Sequence, residues 1–295
     1  PDAMEGPTPV SALIHAATMV TAGIYLIART YPIFWLEMQA GGYALATVGW
    51  VGGFTALLAA TIALKQYDMK RVLAYSTLSQ LGYMFMGLGV VQTFGACFHV
   101  YTHAFFKALL FLCSGAVMHG LAGQLDVRKI SGLRMAKGWK VVTWCMFIGG
   151  LWLAAFPFTA GFFSKDEILA QAFVQEGPGY RALGWIGIVT AGLTSYYTFR
   201  VWFRVFGGRT LHIEPGPEHH GDPASFHPHP PGWRIKAVLI VLTIGCFAAI
   251  SSGYWGIGGW IKGMVDHSSA AWGMPLHWHE GDIAFFGGDP HYTMY

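Results

Sequence analysis

Apolar runs of about 18 residues or more recur along this chain, and their length decides what it can fold into. At about 1.5 Å rise per residue, such a run crosses the ~30 Å hydrocarbon core of a bilayer as one helix. No water satisfies the backbone there, so a spanning segment must close its own hydrogen bonds. The pattern predicts an all-α polytopic membrane protein with about seven transmembrane helices. Composition agrees, since 54% of the 295 residues are hydrophobic and 11% are charged, whereas soluble domains carry about 25% charged residues. The net charge of +3 is spread over loops and gives no support to nucleic-acid binding. Cys97, Cys113, Cys145 and Cys246 lie singly in apolar segments, without a CxxC pair, and read as small core residues.

The predicted spans cover 8–28, 42–64, 72–91, 94–121, 141–173, 182–206 and 235–254. Thr8 can cap the first helix and Pro9 suits its first turn. The second span is rich in Gly and Ala, which lets helices approach closely in lipid. Near the start of the third, Ser76, Thr77, Ser79 and Gln80 read as hydrogen-bonding glue between helices, with water binding as the alternative. The fifth segment is too long for one simple span. Pro157 removes a backbone donor within it and Gly161 permits a further bend, so 141–173 is expected to be discontinuous. Three regions follow: a transmembrane domain over 1–255, a cytoplasmic His- and Pro-rich loop over 207–234, and an interfacial, periplasmic tail over 256–295. The opening PDAMEGPTPV reads as the end of a loop, so the chain is expected to be the C-terminal part of a longer one.

Charges inside the spans are the informative residues, because an ionisable group at membrane depth is costly and suggests an ion pathway. His99, His103 and Lys107 are spaced i, i+4, i+8 in the fourth span, one stripe with about 6 Å between successive groups. His15 is a further intramembrane imidazole, read equally well as a histidine bonded to a neighbouring helix. Lys165 follows the expected break, with Asp166 and Glu167 after it. Broken helices at membrane depth are where transporters place ion sites, and this coincidence favours function over an ordinary helix-end charge cluster. Arg200 is expected either to snorkel or to pair with a carboxylate. The His-rich stretch EHHGDPASFHPHPP has no distinctive ligand spacing and reads as a solvated loop.

With seven spans, twelve Lys and Arg residues fall in the loops after spans two, four and six, and three fall on the opposite side. The excess of basic residues marks the cytoplasmic side.

Four stretches carry a family likeness: PDAMEGPTPVSALIHAATMVTAGIYLIAR, DMKRVLAYSTLSQLGYM, THAFFKALLF and TAGFFSKDEILA. Over about residues 1–208 they resemble the L-type antiporter-like subunit of respiratory complex I, the proton-pumping NADH:quinone oxidoreductase. The resemblance implies that this chain is part of a fourteen-helix antiporter-like core. It implies that His15 links two half-channels, and that Asp68 and Lys70 belong to the DxKR turn of the pathway. His99, His103 and Lys107 would form a central hydrated axis, and Lys165 with Asp166 the exit-side site. No cofactor is expected in this chain. FMN, iron–sulfur clusters and quinone would belong to partner subunits, and the neighbours would be an M-type antiporter-like subunit and lipids. A bacterial inner membrane is the expected location, with a mitochondrial inner membrane as the alternative. Similar large subunits occur in Mrp-type Na⁺/H⁺ antiporters, in hydrogenases and in inorganic-carbon-uptake complexes, and a purely structural scaffold stands as a further alternative.

Overall fold

The computed structural model describes residues 4, 6–175, 177, 179–220, 226–253 and 260–270, with Gly253 and 266–270 in backbone only. Eleven α-helices account for most of them: α1 (Thr8–Ala16), α2 (Ala22–Arg29), α3 (Tyr31–Gln39), α4 (Ala44–Lys65), α5 (Met69–Gly89), α6 (Thr93–Gly120), α7 (Lys140–Leu153), α8 (Ala160–Val174), α9 (Tyr180–Val205), α10 (Trp233–Gly253) and α11 (Trp260–Ala270). Four stretches are long and apolar enough to cross a membrane: α1 with α2 taken together, α4, α6 and α10. Helices α5 and α9, of 21 and 26 residues, are also long enough but carry more polar side chains. In α5 these are the buried Lys70, Ser76, Thr77, Ser79 and Gln80, all turned into the protein. The fold is all-α and polytopic, as its apolar runs predict.

Helix α6 is the axis of the bundle. Helices α1, α5, α7, α8, α10 and α11 all pack on it, and Phe98, Phe106, Leu109, Phe111 and Cys113 along it are fully enclosed. The pair α4–α5 has the most extensive contact in the molecule, and its glycines explain why. A Cβ on Gly52 would lie 2.6 Å from the Met86 nitrogen, and one on Gly82 would lie 2.6 Å from the Ala56 nitrogen. Only hydrogen fits at these crossings, so the two backbones touch and dispersion replaces the hydrophobic drive that lipid cannot supply.

The first span departs from the sequence prediction. It is not one helix over 8–28 but α1, a short 3-10 turn (Met19–Thr21) and α2. No Pro or Gly marks this break. Two hydroxyls supply what the backbone loses: Thr18 donates to Leu13 O at 2.9 Å, and Thr21 donates to Ala17 O at 2.7 Å. Such back-bonding competes with the helical ladder and bends it. The fifth segment is broken where Pro157 and Gly161 predict, between Leu153 and Ala160. Ala155 and Phe158 take left-handed backbone there, with φ of 55° and 67°, at a cost of about 1–2 kcal/mol each. The Thr159 hydroxyl caps α8 by accepting from Phe162 N at 3.2 Å. Helix α3 was not foreseen; its Tyr31 hydroxyl donates to Leu88 O at 3.2 Å and ties it to α5.

The loops after α4, α6 and α9 meet on one face, as the counting of basic residues requires. Met69 N donates to Leu125 O and Val127 N to Tyr67 O, at 3.0 and 2.9 Å. The α6–α7 loop also pairs with the His-rich loop through two short antiparallel strands, β1 (Ile130–Ser131) and β2 (His212–Ile213). That stretch of 207–234 is therefore structured rather than a plain loop, and Lys129 and Glu214 close it at 3.2 Å. Arg128 holds the Asp126 carboxyl below its usual range through a side-chain hydrogen bond in the same loop.

Among the described residues no carboxylate meets Arg200, and its guanidinium reaches toward the polar loop after α4. It donates to the carbonyls of Ala63, Leu64 and Gln66, at 3.3, 2.5 and 2.5 Å, and so caps the C-terminal end of α4. Of the tail, only α11 is described. It docks on α6, with Trp260 edge-on to Tyr101 at 5.8 Å and Ile261 buried; residues 271–295 lie outside the described residues.

Gly82→Val should lower the melting temperature of the purified protein by several degrees, through an overpacking cost of about 1–3 kcal/mol. Gly192→Ala, where a Cβ meets nothing within 4 Å, should leave it unchanged. A thermal melt of both variants checks the account of the α4–α5 contact.

Candidate functional site

Helix α6 presents His99, His103 and Lys107 along one stripe, and all three are fully buried. Their partners come from three neighbouring helices, α1, α5 and α8. His99 lies between α5 and α8, with Nε2 3.1 Å from Gln80 Oε1 and Nδ1 2.8 Å from Ser164 Oγ. His103 Nδ1 is 2.9 Å from the Ala16 carbonyl. Lys107 Nζ donates to Leu73 O at 3.3 Å and to the Ser76 hydroxyl. The rings of His99 and His103 are 6.3 Å apart, with Phe106 against both.

Lys165 lies on α8, one residue from Ser164. Its Nζ donates to Leu153 O at 2.7 Å and sits 5.4 Å from the centre of the Tyr83 ring. Tyr83 is itself anchored through its hydroxyl to Gly187 O. Leu153 is the last residue of α7, and Ala16 is the last of α1. Both breaks thus release a helix-terminal carbonyl that accepts a bond from a basic side chain. These are the orphan acceptors, at the negative end of the dipole, that a helix C-terminus always leaves. Gly161 makes the second arrangement possible, because a Cβ there would lie 2.1 Å from Trp152 O.

Among the described residues the hydrogen-bond partners of this file are neutral groups rather than carboxylates. Among the described residues the three ion pairs, Arg128–Asp126, Lys129–Glu214 and His212–Glu214, all lie in the loops outside the spans. Asp166 and Glu167 follow Lys165 on α8 and are half-buried, and Glu167 accepts from Gln92 Nε2 at 2.8 Å. Neutral carbonyls and a hydroxyl are the partners of Lys107 and Lys165. A hydrogen bond to a charged group contributes about 1.5–3 kcal/mol, while taking an ion out of water costs several. The balance of charged and neutral forms is therefore set by few groups.

His15 stacks on Phe111, with ring centroids 5.4 Å apart. Both of its ring nitrogens are buried without a protein partner, as are Nε2 of His103 and Nε2 of Gln80. The alternative of a histidine bonded to a neighbouring helix is not what the structure shows. Asp68 caps α5, its carboxylate accepting from Arg71 N at 3.0 Å. Lys70 donates to Met4 O and Gly6 O, at 3.4 and 3.3 Å, and fastens the N-terminal segment to α5. A cavity of about 10 Å³ lies between Leu73, Leu153, Tyr197 and Thr198, beside the carbonyls that receive the two lysines. Among the described residues no group of three His, Cys, Asp or Glu is placed to hold a metal.

The sequence therefore locates His99, His103, Lys107 and Lys165 together and leaves Asp68 and Lys70 at the end of α5. Sequence reasoning undervalues Ser76, Gln80 and Ser164, which touch the file directly. Their signal was present: Ser76 and Gln80 are one helical turn apart, and Ser164 adjoins Lys165.

Residues 1–194 match the family model described as NADH:quinone oxidoreductase/Mrp antiporter, TM. NADH-quinone oxidoreductase subunit L of Escherichia coli is 55% identical over 209 residues, which cover 70% of this chain and 33% of that protein. The protein of the same name from Pseudomonas aeruginosa is 47% identical over 290 residues, 97% of this chain and 43% of the relative. Similarity thus continues well past residue 208, where the motifs end. In the structure of the Mrp complex from a Dietzia species, one chain matches 90% of this chain with a TM-score of 0.70 and 21% identity, over 53% of its own length. That likeness establishes a shared fold. The chain spans less than half the length of these curated relatives.

Gly161→Ala tests the geometry at the second break. The added methyl meets backbone and cannot be relieved by a rotamer, so α8 must move away from Trp152 at a cost of about 1–3 kcal/mol. Lys165 should then leave Leu153 O and react faster with a membrane-permeant acylating reagent than in the parent protein, with mass spectrometry of the modified peptide as the readout.

Proposed function

Because the chain belongs to the NADH:quinone oxidoreductase/Mrp antiporter transmembrane family, we propose that it forms a proton-translocating part of the membrane arm of an NADH:quinone oxidoreductase. The observation that carries this reading is the file itself: His99, His103, Lys107 and Lys165 buried together, each held by a carbonyl, hydroxyl or amide rather than a fixed counter-charge. A cation pinned by a carboxylate keeps its proton. A lysine held by a rotatable hydroxyl and a helix-end carbonyl can give the proton up and take it back as its surroundings change.

In this reading protons hop between side chains and water, with Lys107 and Lys165 loaded and unloaded in alternation. His15, His103 and Gln80 carry buried polar atoms without a protein partner, which water can satisfy. Histidine suits such relays because its unperturbed pKa of about 6.5 lies near physiological pH. Asp68 and Lys70 stand at the N-terminal end of α5, on the side of the even-numbered loops, where a path would open to the aqueous phase. Asp166 continues the path from Lys165 to the other side. Quinone reduction in partner subunits carrying FMN and iron–sulfur clusters would supply the energy. An adjacent M-type antiporter-like subunit and lipids complete the assembly, in a bacterial inner membrane. The identity of 55% and 47% to subunit L proteins supports this reading. Na⁺/H⁺ exchange, as in Mrp-type antiporters, shares the fold and is the second reading.

Lys165→Ala in the intact complex should cut proton pumping by about tenfold or more, the scale of a lost proton-transfer group, while electron transfer measured with an uncoupler persists. Pumping unchanged in vesicles would sink the assignment. Sodium-dependent proton exchange without quinone would select the antiporter instead.

A further inference from the structure

His99 differs from the other groups of the file in what surrounds it. Both ring nitrogens are hydrogen-bonded, and both partners can act as donor or as acceptor. On the Nδ1 side stands Ser164 Oγ at 2.8 Å, and the same hydroxyl has a second acceptor in the Gly161 carbonyl at 3.3 Å. On the Nε2 side stands the Gln80 amide, its Oε1 at 3.1 Å and its Nε2 buried without a protein partner. Gln80, Ser164 and His99 are all fully buried. Among the described residues the groups that interact electrostatically with His99 are Lys165 from α8 and His103 and Lys107 from α6, all of them basic.

We propose that Gln80 and Ser164 are positioning residues that make His99 a two-sided proton relay. The inference rests on the proton-translocation reading above and adds two residues to it. A neutral imidazole has one N–H and one bare nitrogen, and an imidazolium has two N–H groups. In the neutral form with its proton on Nε2, the ring donates to Gln80 Oε1 and accepts the Ser164 hydroxyl hydrogen at Nδ1. When the Ser164 hydroxyl turns its hydrogen to Gly161 O, the Nδ1 lone pair is freed to take a proton from water or a neighbouring basic group, and Oγ then accepts from Nδ1–H. When the Nε2 proton then departs to water or the next basic group, the Gln80 amide turns over and donates its unused N–H to the bare Nε2. One proton has entered and one has left, and Gln80 and Ser164 are chemically unchanged. None of the three resting states leaves a buried nitrogen of this ring unsatisfied, which would cost about 1–3 kcal/mol. His103 has no such pair, since its Nδ1 faces a carbonyl that can only accept and its Nε2 has no protein partner.

The test is proton pumping per electron by the intact complex in proteoliposomes, with the uncoupled electron-transfer rate as a check of assembly. Ser164→Ala and Gln80→Met should each reduce pumping by about tenfold, and Ser164→Thr, which keeps the hydroxyl, should restore most of it. Both reductions with rescue by Thr support the proposal. Pumping retained in Ser164→Ala or in Gln80→Met overturns it, and so does a Ser164→Thr variant no better than Ser164→Ala, which would make the site one of packing. Lys165→Ala and His99→Phe run beside them. If those two lose pumping while the Ser164 and Gln80 variants keep it, this inference fails and the translocation reading stands. If all four keep it, both fail.

Discussion

Two helix ends inside the bundle hold this structure's chemistry in place. A continuous helix consumes its own carbonyls, and a helix that stops at depth leaves several without partners. In lipid those acceptors must be satisfied by protein or by enclosed water. Here α1 stops at Ala16 and α7 stops at Leu153, and the released carbonyls meet His103 and Lys165. A third helix end, that of α4, is closed by Arg200. The same pairing of helix C-terminus with cation serves stability at α4, near the basic loops, and would serve proton transfer at α1 and α7, where the partners are titratable.

The packing around α6 follows from this requirement. Buried basic groups are tolerated only where dipoles, hydroxyls and amides converge, so α1, α5 and α8 must all reach the stripe of His99, His103 and Lys107. Close contacts let them do so. Gly161 brings the start of α8 against Trp152, and glycines at the α4–α5 crossing bring α5 to full contact with its neighbour. Left-handed backbone at Ala155 and Phe158 is the local cost of turning the chain between the two halves of the broken segment. The interlocked loops on one face then tie the ends of α4, α5, α6 and α7 together.

Much of this was legible in the residues. Apolar length placed the outer bounds of the seven spans within about three residues of helix ends, though not α3 or α11, and the i, i+4, i+8 spacing put His99, His103 and Lys107 on one stripe. Pro157 and Gly161 announced the second break because they act through the backbone itself. The first break was invisible because Thr18 and Thr21 make it by side-chain bonds, and threonine is ordinary inside a membrane helix. The partners of Arg200 were not legible because a guanidinium's natural partner by sequence is a carboxylate, whereas free carbonyls are not written in the sequence at all. Gln80 and Ser164 were undervalued for a related reason: an uncharged polar residue in a span usually bonds its neighbours for packing alone, and only the position of His99 between them gives them further meaning.

The central claim is that broken helices, not carboxylates, hold the basic groups of the file. A density map of the native assembly, sharp enough to show carbonyl oxygens, tests it most directly. The account predicts Lys165 Nζ on the Leu153 carbonyl and His103 Nδ1 on that of Ala16, with both helices interrupted at those residues. A carboxylate from any subunit within about 4 Å of Lys107 or Lys165, the range of an ion pair, or a continuous helix through residue 17 would contradict it.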